Sequence, residues 1–209
     1  PLCLVGSEMC IRDSDYPEDF FKERVHSIRR PRPDDYQIKK AVEVIKSSKN
    51  PIIISGGGVF YSDAMEELSD FAKKHNIPVT QTVMGYSTMK RDHSHFLGPI
   101  GGLGGKAANN MAKKTDLAIA IGTKLADFTT GSWANFENPN FKLVSINAAR
   151  FDANKHMAQA VVGDAKVSLS ELSLALGSWK AEDSWNKKAQ MELKNWNEYV
   201  DKELSLIHI

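Results

Sequence analysis

The chain has 209 residues, 42% of them hydrophobic and 25% charged, a balance that excludes collagen-like, disulfide-scaffold and largely disordered polypeptides. Twenty-seven basic and 26 acidic residues leave a formal charge of +1, so no basic field exists for a nucleic acid or an anionic membrane surface. No apolar run approaches the roughly 18–20 residues of a membrane span, and neither nucleic acid nor membrane is expected as a partner.

The two ends differ from the middle. Met9 to Ser14 (MCIRDS) and Leu204 to Ile209 (LSLIHI) can be read as translations of opposite strands of one DNA inverted repeat, and Leu4 to Glu8 (LVGSE) fits the same origin. Residues 1–14 and 204–209 are therefore expected to be sequencing-adapter scars, outside any fold argument. Both cysteines, Cys3 and Cys10, fall in the first of them. What remains has no thiol chemistry, disulfide or cysteine metal site, which suits a reducing cytoplasm. It is expected to be an internal slice of a longer cytoplasmic protein.

Residues 15–33 are charged and carry Pro17, Pro31 and Pro33 beside Arg29, Arg30 and Arg32, a composition that predicts an extended linker. Asp34 or Asp35 then caps a helix in which Ile38, Ala41, Val42 and Ile45 recur at three-and-four spacing. Pro51 to Ser55 (PIIIS) is an uninterrupted apolar run, the pattern of a strand buried on both faces. A second helix is predicted from Ser62 or Asp63, with Met65, Leu68, Phe71 and Ala72 on one face, followed by a strand over Ile77 to Thr82. A third helix spans Gly105 to Lys114. Strands follow at Leu117 to Ile121 (LAIAI), Phe141 to Ile146 (FKLVSI) and Ala160 to Val162. Asp164 caps a last amphipathic helix through Val167, Leu169, Leu172, Leu174 and Leu176, stopped by Gly177. Alternating helices and non-alternating apolar strands predict an α/β fold, a doubly wound, mostly parallel Rossmann-like sheet with helices on both faces.

Beyond Gly177 the chain is polar and helical, with Trp179, Trp185 and Trp196 widely spaced. Two readings stand side by side: exposed tryptophans of a lost interface, or single tryptophans covering their own sheet.

Ligands of an open parallel sheet sit beyond the carboxyl ends of its strands, so the residues following each strand are the candidate site. Gly56, Gly57 and Gly58 follow the first strand, Gly98 to Gly105 (GPIGGLGG) precede the third helix, Gly122 and Thr123 follow LAIAI, and Asn147 follows FKLVSI. The candidate cofactor-binding residues are Gly56, Gly57, Gly58, Gly101, Gly104, Gly122, Thr123 and Asn147. Glycines in such loops let backbone approach a phosphate or ring, and they serve equally for tight turns. Gly101 to Gly105 misses the dinucleotide G-x-G-x-x-G order, and no clear strand runs straight into it.

No catalytic constellation stands out, and no metal-ligand pattern does either. His93 and His95 alternate in a loop without an acidic neighbour pair and are expected to be solvated. Asp127, in ADFTTGS (126–132), leads a cluster of Thr129, Thr130 and Ser132 whose hydroxyls could cap a helix or touch a ligand.

The ordered series PIIISGGGVFYS, HNIPVTQTVMG, LGPIGGLGGKAANNMA, TDLAIAIGTKLADFTTGS and INAARFDANKH resembles the central domain of thiamine-diphosphate-dependent enzymes of the acetolactate synthase and pyruvate oxidase group. ADFTTGS with FDANKH resembles most the branch that opens a cyclic 1,2-diketone in inositol breakdown. The likeness runs over residues 31–179, with 34–179 as the domain and 180–203 as a helical linker toward a further one. It implies a parent enzyme that hydrolyses a carbon–carbon bond beside a carbonyl through a thiazolium ylide, using thiamine diphosphate and Mg²⁺. Those groups would be bound mainly by pyrimidine-binding and diphosphate-binding domains of the same chain, in a homodimer or homotetramer. The slice alone is expected to be inactive.

Flavin-bearing relatives hold FAD on the loops that correspond to Gly56–Gly58, Gly98–Gly105 and Gly122–Lys124. This chain has Gly101, Gly102, Leu103 and Gly104 where they carry Gly-Met-His-Gly, and Asn147 and Ala149 where acids are usual. The departures speak against FAD. The competing functions are an acetolactate-synthase-like carboligase domain, a stand-alone FAD- or NAD-binding module, and a spacer between catalytic domains.

Overall fold

The structure is a computed structural model that describes residues 16–27 and 29–204. Of the expected adapter-derived residues 1–14 and 204–209, all but Leu204, the last residue of a helix, lie outside the described residues. Runs of isoleucine and alanine without polar alternation are stable as strands only between two helical layers. Strands β1 (Pro51–Ser55) and β4 (Leu117–Ile121) lie there, with every residue buried. With β2 (Val79–Gln81), β3 (Phe96–Pro99), β5 (Lys142–Asn147) and β6 (Gln159–Val162) they form one sheet. Its order is β3-β2-β1-β4-β5-β6, every pairing parallel.

Alternate strand residues feed two separate cores. Ile53, Ile119, Ile121, Val144 and Ile146 pack under α1 (Asp35–Lys46), α3 (Met65–His75) and α7 (Ala165–Leu176). Ile52, Ile54, Ala118, Ala120 and Leu143 pack under α4 (Lys106–Lys114) and α8 (Asp183–Leu204). The helix ends follow local chemistry. The Asp34 carboxylate accepts from the Tyr36 amide at 2.9 Å to start α1, and Asn76 closes α3 in the left-handed region at φ 54°.

Several elements depart from the expectation. Gly57–Tyr61 forms a short helix, α2, directly after β1, because the glycines allow the turn to close against a neighbouring loop. Phe96–Pro99 is a strand despite its Gly and Pro. It lies at the sheet edge, where a missing N–H costs no ladder bond, and its pairing with β2 shifts register between Val79 and Thr80. The strand expected over Ile77–Thr82 is confined to Val79–Gln81, and Thr82 instead caps a 3₁₀ turn by accepting from the Gly85 amide at 3.0 Å. Glu18–Phe21 likewise forms a 3₁₀ turn inside the expected linker. Helices α5 (Asp127–Thr130) and α6 (Arg150–Ala153) complete the set.

The tryptophans cover their own sheet. Trp185 is buried against the α4 side and donates its indole N–H to the Pro51 carbonyl at 2.8 Å. Trp179 packs on the α1/α3/α7 core, Trp196 on the other. Burial removes the lost-interface reading for Trp185, while Trp179 and Trp196 stay half-buried. The polar positions of α8 face solvent or pair with α4, as Glu192 does with Lys114 at 2.9 Å. No helix among the described residues is long and apolar enough to cross a membrane.

Burial also corrects the expectation for the loop histidines. His95 is buried; its Nε2–H donates to Asn76 Oδ1 at 3.0 Å and its Nδ1 accepts from the Ser94 hydroxyl at 3.0 Å. Desolvation, with smaller contributions from His93 and Lys73, pushes its pKa down to about 4. Burial lowers His75 and His93 in the same direction. The unfolded chain binds a proton near 6.5 while folded His95 resists it down to about 4. Stability is therefore full above pH 6.5 and falls as the pH drops toward 4. Chemical denaturation at pH 7 and pH 4 is expected to differ by roughly 3 kcal/mol from this residue. His95→Asn is expected to flatten the dependence, and an unchanged acid limb in that variant would refute the assignment.

Candidate functional site

The chain leaves β1 toward β2 on one side, and the sheet continues through β4 on the other. Loops leaving these adjacent strands diverge, and a crevice opens at the carboxyl edge between them. It encloses about 630 Å³ and is bordered by Gly57, Gly58, Gly122, Thr123 and Asn147.

The glycines there are required by backbone packing against backbone. A Cβ on Gly58 would lie 2.6 Å from the Gly122 Cα, and one on Gly56 2.4 Å from the Gly122 carbonyl oxygen. Gly56 and Gly58 spend their N–H groups on the carbonyls of Ile121 and Gly122 at 2.8 and 2.9 Å, and Gly122 donates to Ile146 at 2.8 Å. These amides are thus occupied within the protein. Asn147 ties the β4 and β5 loops together, donating to the Thr123 carbonyl at 3.2 Å and accepting from the Ala149 amide at 2.9 Å. The Thr123 hydroxyl accepts from the Leu125 amide at 3.2 Å.

Gly101 and Gly104 do not border this cavity. Gly101, at φ 101°, abuts the Phe128 carbonyl, which a Cβ would meet at 2.0 Å, and Gly104 abuts Ile100 and Pro99. Their place is the turn that carries β3 into α4. Of the ADFTTGS cluster, Thr129 borders the cavity and the Thr130 hydroxyl accepts from the Trp133 amide at 3.3 Å. Asp127 is exposed and its side chain caps nothing.

Three residues far apart in sequence meet beside the crevice, and no sequence pattern joins them. Arg30 donates to the Ser62 carbonyl, to the Ser62 hydroxyl at 3.0 Å and to Asp164 at 3.2 Å; the Ser62 hydroxyl in turn donates to Asp164. The other Asp164 oxygen accepts from the amides of Lys166 and Val167 at the start of α7. Pro31 accepts from the Asp164 amide at 2.8 Å, so the end of the expected linker is bound to the domain. Asp164→Ala removes both a helix cap and the partner of Arg30, and is expected to cost about 1–3 kcal/mol. Trypsin should then cut after Arg29 faster than in the parent chain, the Arg30–Pro31 and Arg32–Pro33 bonds being resistant because proline follows the arginine; equal rates would show that the clamp does not hold the segment.

The electrostatics follow from these pairings. Asp152 pairs with Lys155 at 2.7 Å and Asp164 with Arg30, so both carboxylates bordering the cavity are neutralised. Arg29 and Lys124 border it without an ion-pair partner among the described residues. The crevice is a cavity of mainly apolar walls with two cationic side chains at its border. Among the described residues no group of three or more His, Cys, Asp or Glu converges to hold a metal ion.

The chain is 44% identical over 184 residues to a 3D-(3,5/4)-trihydroxycyclohexane-1,2-dione hydrolase of Clostridium perfringens, a match covering 88% of this chain and 29% of that protein. It is 42% identical over 191 residues to the protein of the same name from Clostridium tetani, covering 91% and 29%. The Bacillus cereus protein of that name is 41% identical over 194 residues, covering 93% and 30%. The chain thus spans about three tenths of the length of these curated relatives. The family model described as thiamine pyrophosphate enzyme, central domain, matches residues 38–172, from the first turn of α1 to the middle of α7. With its parallel sheet and crevice in this arrangement, the chain belongs to the thiamine pyrophosphate enzyme central-domain family.

Proposed function

We propose that this chain is the central third of a cytoplasmic thiamine-diphosphate-dependent hydrolase that opens a cyclic 1,2-diketone in inositol catabolism. The supporting observation is the 41–44% identity, over about nine tenths of the chain, to relatives that carry a trihydroxycyclohexanedione hydrolase name. Residues 34–179 are taken as the domain and 180–203, which folds mainly as α8 against the sheet, as the stretch leading toward the next part.

The residues present do not fit thiamine diphosphate with its metal. Both carboxylates at the crevice are committed to Lys155 and Arg30, which leaves no free carboxylate there for a divalent ion. Thiamine diphosphate and Mg²⁺ are accordingly assigned to polypeptide outside this chain, and no bond-breaking step is assigned to its residues. Its part in the enzyme is to hold the neighbouring domains in register on a rigid sheet, within a homodimer or homotetramer.

The test is a chimera in which residues 31–203 replace the aligned stretch of the Clostridium perfringens relative. It is expected to hydrolyse trihydroxycyclohexane-1,2-dione in a thiamine-diphosphate-dependent manner, while the 209-residue chain alone is inert. A folded chimera that condensed pyruvate to acetolactate instead, or turnover by the isolated chain, would overturn the assignment.

A second reading, that the crevice takes an anionic nucleotide, is favoured by Arg29 and Lys124 at the border of the cavity. Because the Gly56, Gly58 and Gly122 amides are occupied, a phosphate would rely on those two side chains, with Gly57, Thr123 and Asn147 as walls. Titration with ADP, NAD and FAD followed by thermal shift decides it: saturable stabilisation supports the reading, and none by any of the three removes it.

A further inference from the structure

Large apolar side chains crowd the carboxyl edge of the sheet. Tyr61 after β1, Met84 and Tyr86 after β2, Leu103 after β3, Phe128 after β4 and Phe151 after β5 are each at least 70% exposed. In the turns entering the strands at the opposite edge, Met157 is the comparable residue among the described ones. Single exposed hydrophobics are ordinary, but a set gathered on one edge marks a surface that is covered in the working protein.

The two covalent routes out of the domain open on that same edge. The connector passes it at Arg29 and Pro31, which border the crevice. Helix α8 starts at the amino edge, near where Trp185 meets the Pro51 carbonyl, and finishes at the carboxyl edge. There Trp196 packs on Gly105, and Val200 shares a cavity with Tyr86 and Leu103. In a protein of the relatives' length, about seven tenths of the polypeptide lies outside the part matched here. Polypeptide joined to the connector or to α8 would be tethered to this edge at millimolar effective concentration, far above what a second, untethered subunit reaches.

We infer that the carboxyl edge is the docking face for the rest of the same parent subunit, whose apolar surface covers Met84, Tyr86, Leu103 and Phe128. The inference rests on the parent enzyme proposed above and adds where its parts meet. It accounts for the large exposed apolar side chains gathered on the crevice rim, whereas the amino-edge cavity beside α1 is lined by Ser47, Ser48, Asp116, Asn140 and Lys142 with Pro139 and Phe141.

The experiment compares Met84→Asp/Phe128→Asp with the control pair Met157→Asp/Leu174→Asp, whose side chains are more exposed still but lie elsewhere. In the isolated 209-residue chain, anilinonaphthalene sulfonate fluorescence is expected to fall about fivefold in the face pair and to stay level in the control, with both midpoints of unfolding unchanged. An isolated chain that binds no dye, or binds it equally in both pairs, overturns the inference whether or not a chimera folds. In the chimera the face is covered: dye binding is expected to be lost, and the face pair to restore it and split the single unfolding transition into two, which the control pair does not. A chimera indifferent to the face pair overturns the inference. So does an isolated chain whose dimer is abolished by the face pair while the chimera is unaffected, since a second copy is then the occupant. A chimera with a covered face and no diketone hydrolysis sinks the proposed activity and leaves the docking face standing.

Discussion

Trp185→Ala is expected to lower the unfolding free energy by about 3–5 kcal/mol, the range for truncating a fully packed tryptophan. At this chain length that moves Tm down by roughly 6–20 °C. The side chain is 4% exposed and fills the layer between the sheet and α8, where the small Ala118 and Ala120 of β4 and Ala189 of α8 leave room for the helix to approach. Its indole N–H also satisfies the Pro51 carbonyl at the first residue of β1. Trp185→Phe keeps much of the packing and orphans that carbonyl, so it should cost about 1–3 kcal/mol. Denaturant titration monitored by circular dichroism separates the two. A loss under about 1 kcal/mol for the alanine variant would mean that α8 is dispensable to the sheet.

The second large effect is expected at Gly122→Ala. A Cβ there would lie 2.5 Å from the Gly58 Cα, with neither backbone free to move because Gly58 donates to the Gly122 carbonyl and Gly122 to Ile146. Gly122 also has φ 60°, which by itself costs an alanine about 1–2 kcal/mol. Gly131→Ala is the matching control: its φ is 58° and its nearest neighbour is the Asn135 amide at 3.4 Å. The control should lose only the backbone share. Gly122→Ala should lose about 3 kcal/mol or more, since overpacking adds to strain. Equal losses in thermal melts would show that the two loops are not locked together, and with that the crevice would lose its rigid floor.

The helices and strands legible in advance were those whose pattern is local. PIIIS and LAIAI can only be doubly buried strands, and the Asp34 and Asp164 caps stand beside the periodic faces they start. What escaped local reading was decided by neighbours distant in the chain. Phe96–Pro99 carries turn residues and becomes a strand because the sheet edge tolerates them. Leu174 fits the apolar period of α7 yet is 82% exposed, because the sheet beneath reaches only Leu169, Leu172 and Leu176. His95, expected in solvent, is buried by the end of α3 through Asn76.

The candidate site divides along the same line. Residues after strand ends could be named from the alternation alone, and Gly57, Gly58, Gly122, Thr123 and Asn147 do share one cavity. Gly101 and Gly104 have the same composition and a different place, since glycine spacing carries no information about which loop the chain will fold against. The Arg30–Ser62–Asp164 clamp was invisible for the converse reason: polar residues of ordinary type acquire meaning only when three segments converge.

Sheet class was thus already present in residue order, because hydrophobic period, caps and turn residues act over a few neighbours at a time, and the family followed from the resemblance carried by the ordered motifs. The burial of Trp185, the reason each crevice glycine is needed and the apolar side chains at the carboxyl edge emerged only on folding. Each depends on which distant backbones come within van der Waals contact, and one-dimensional spacing does not encode that distance.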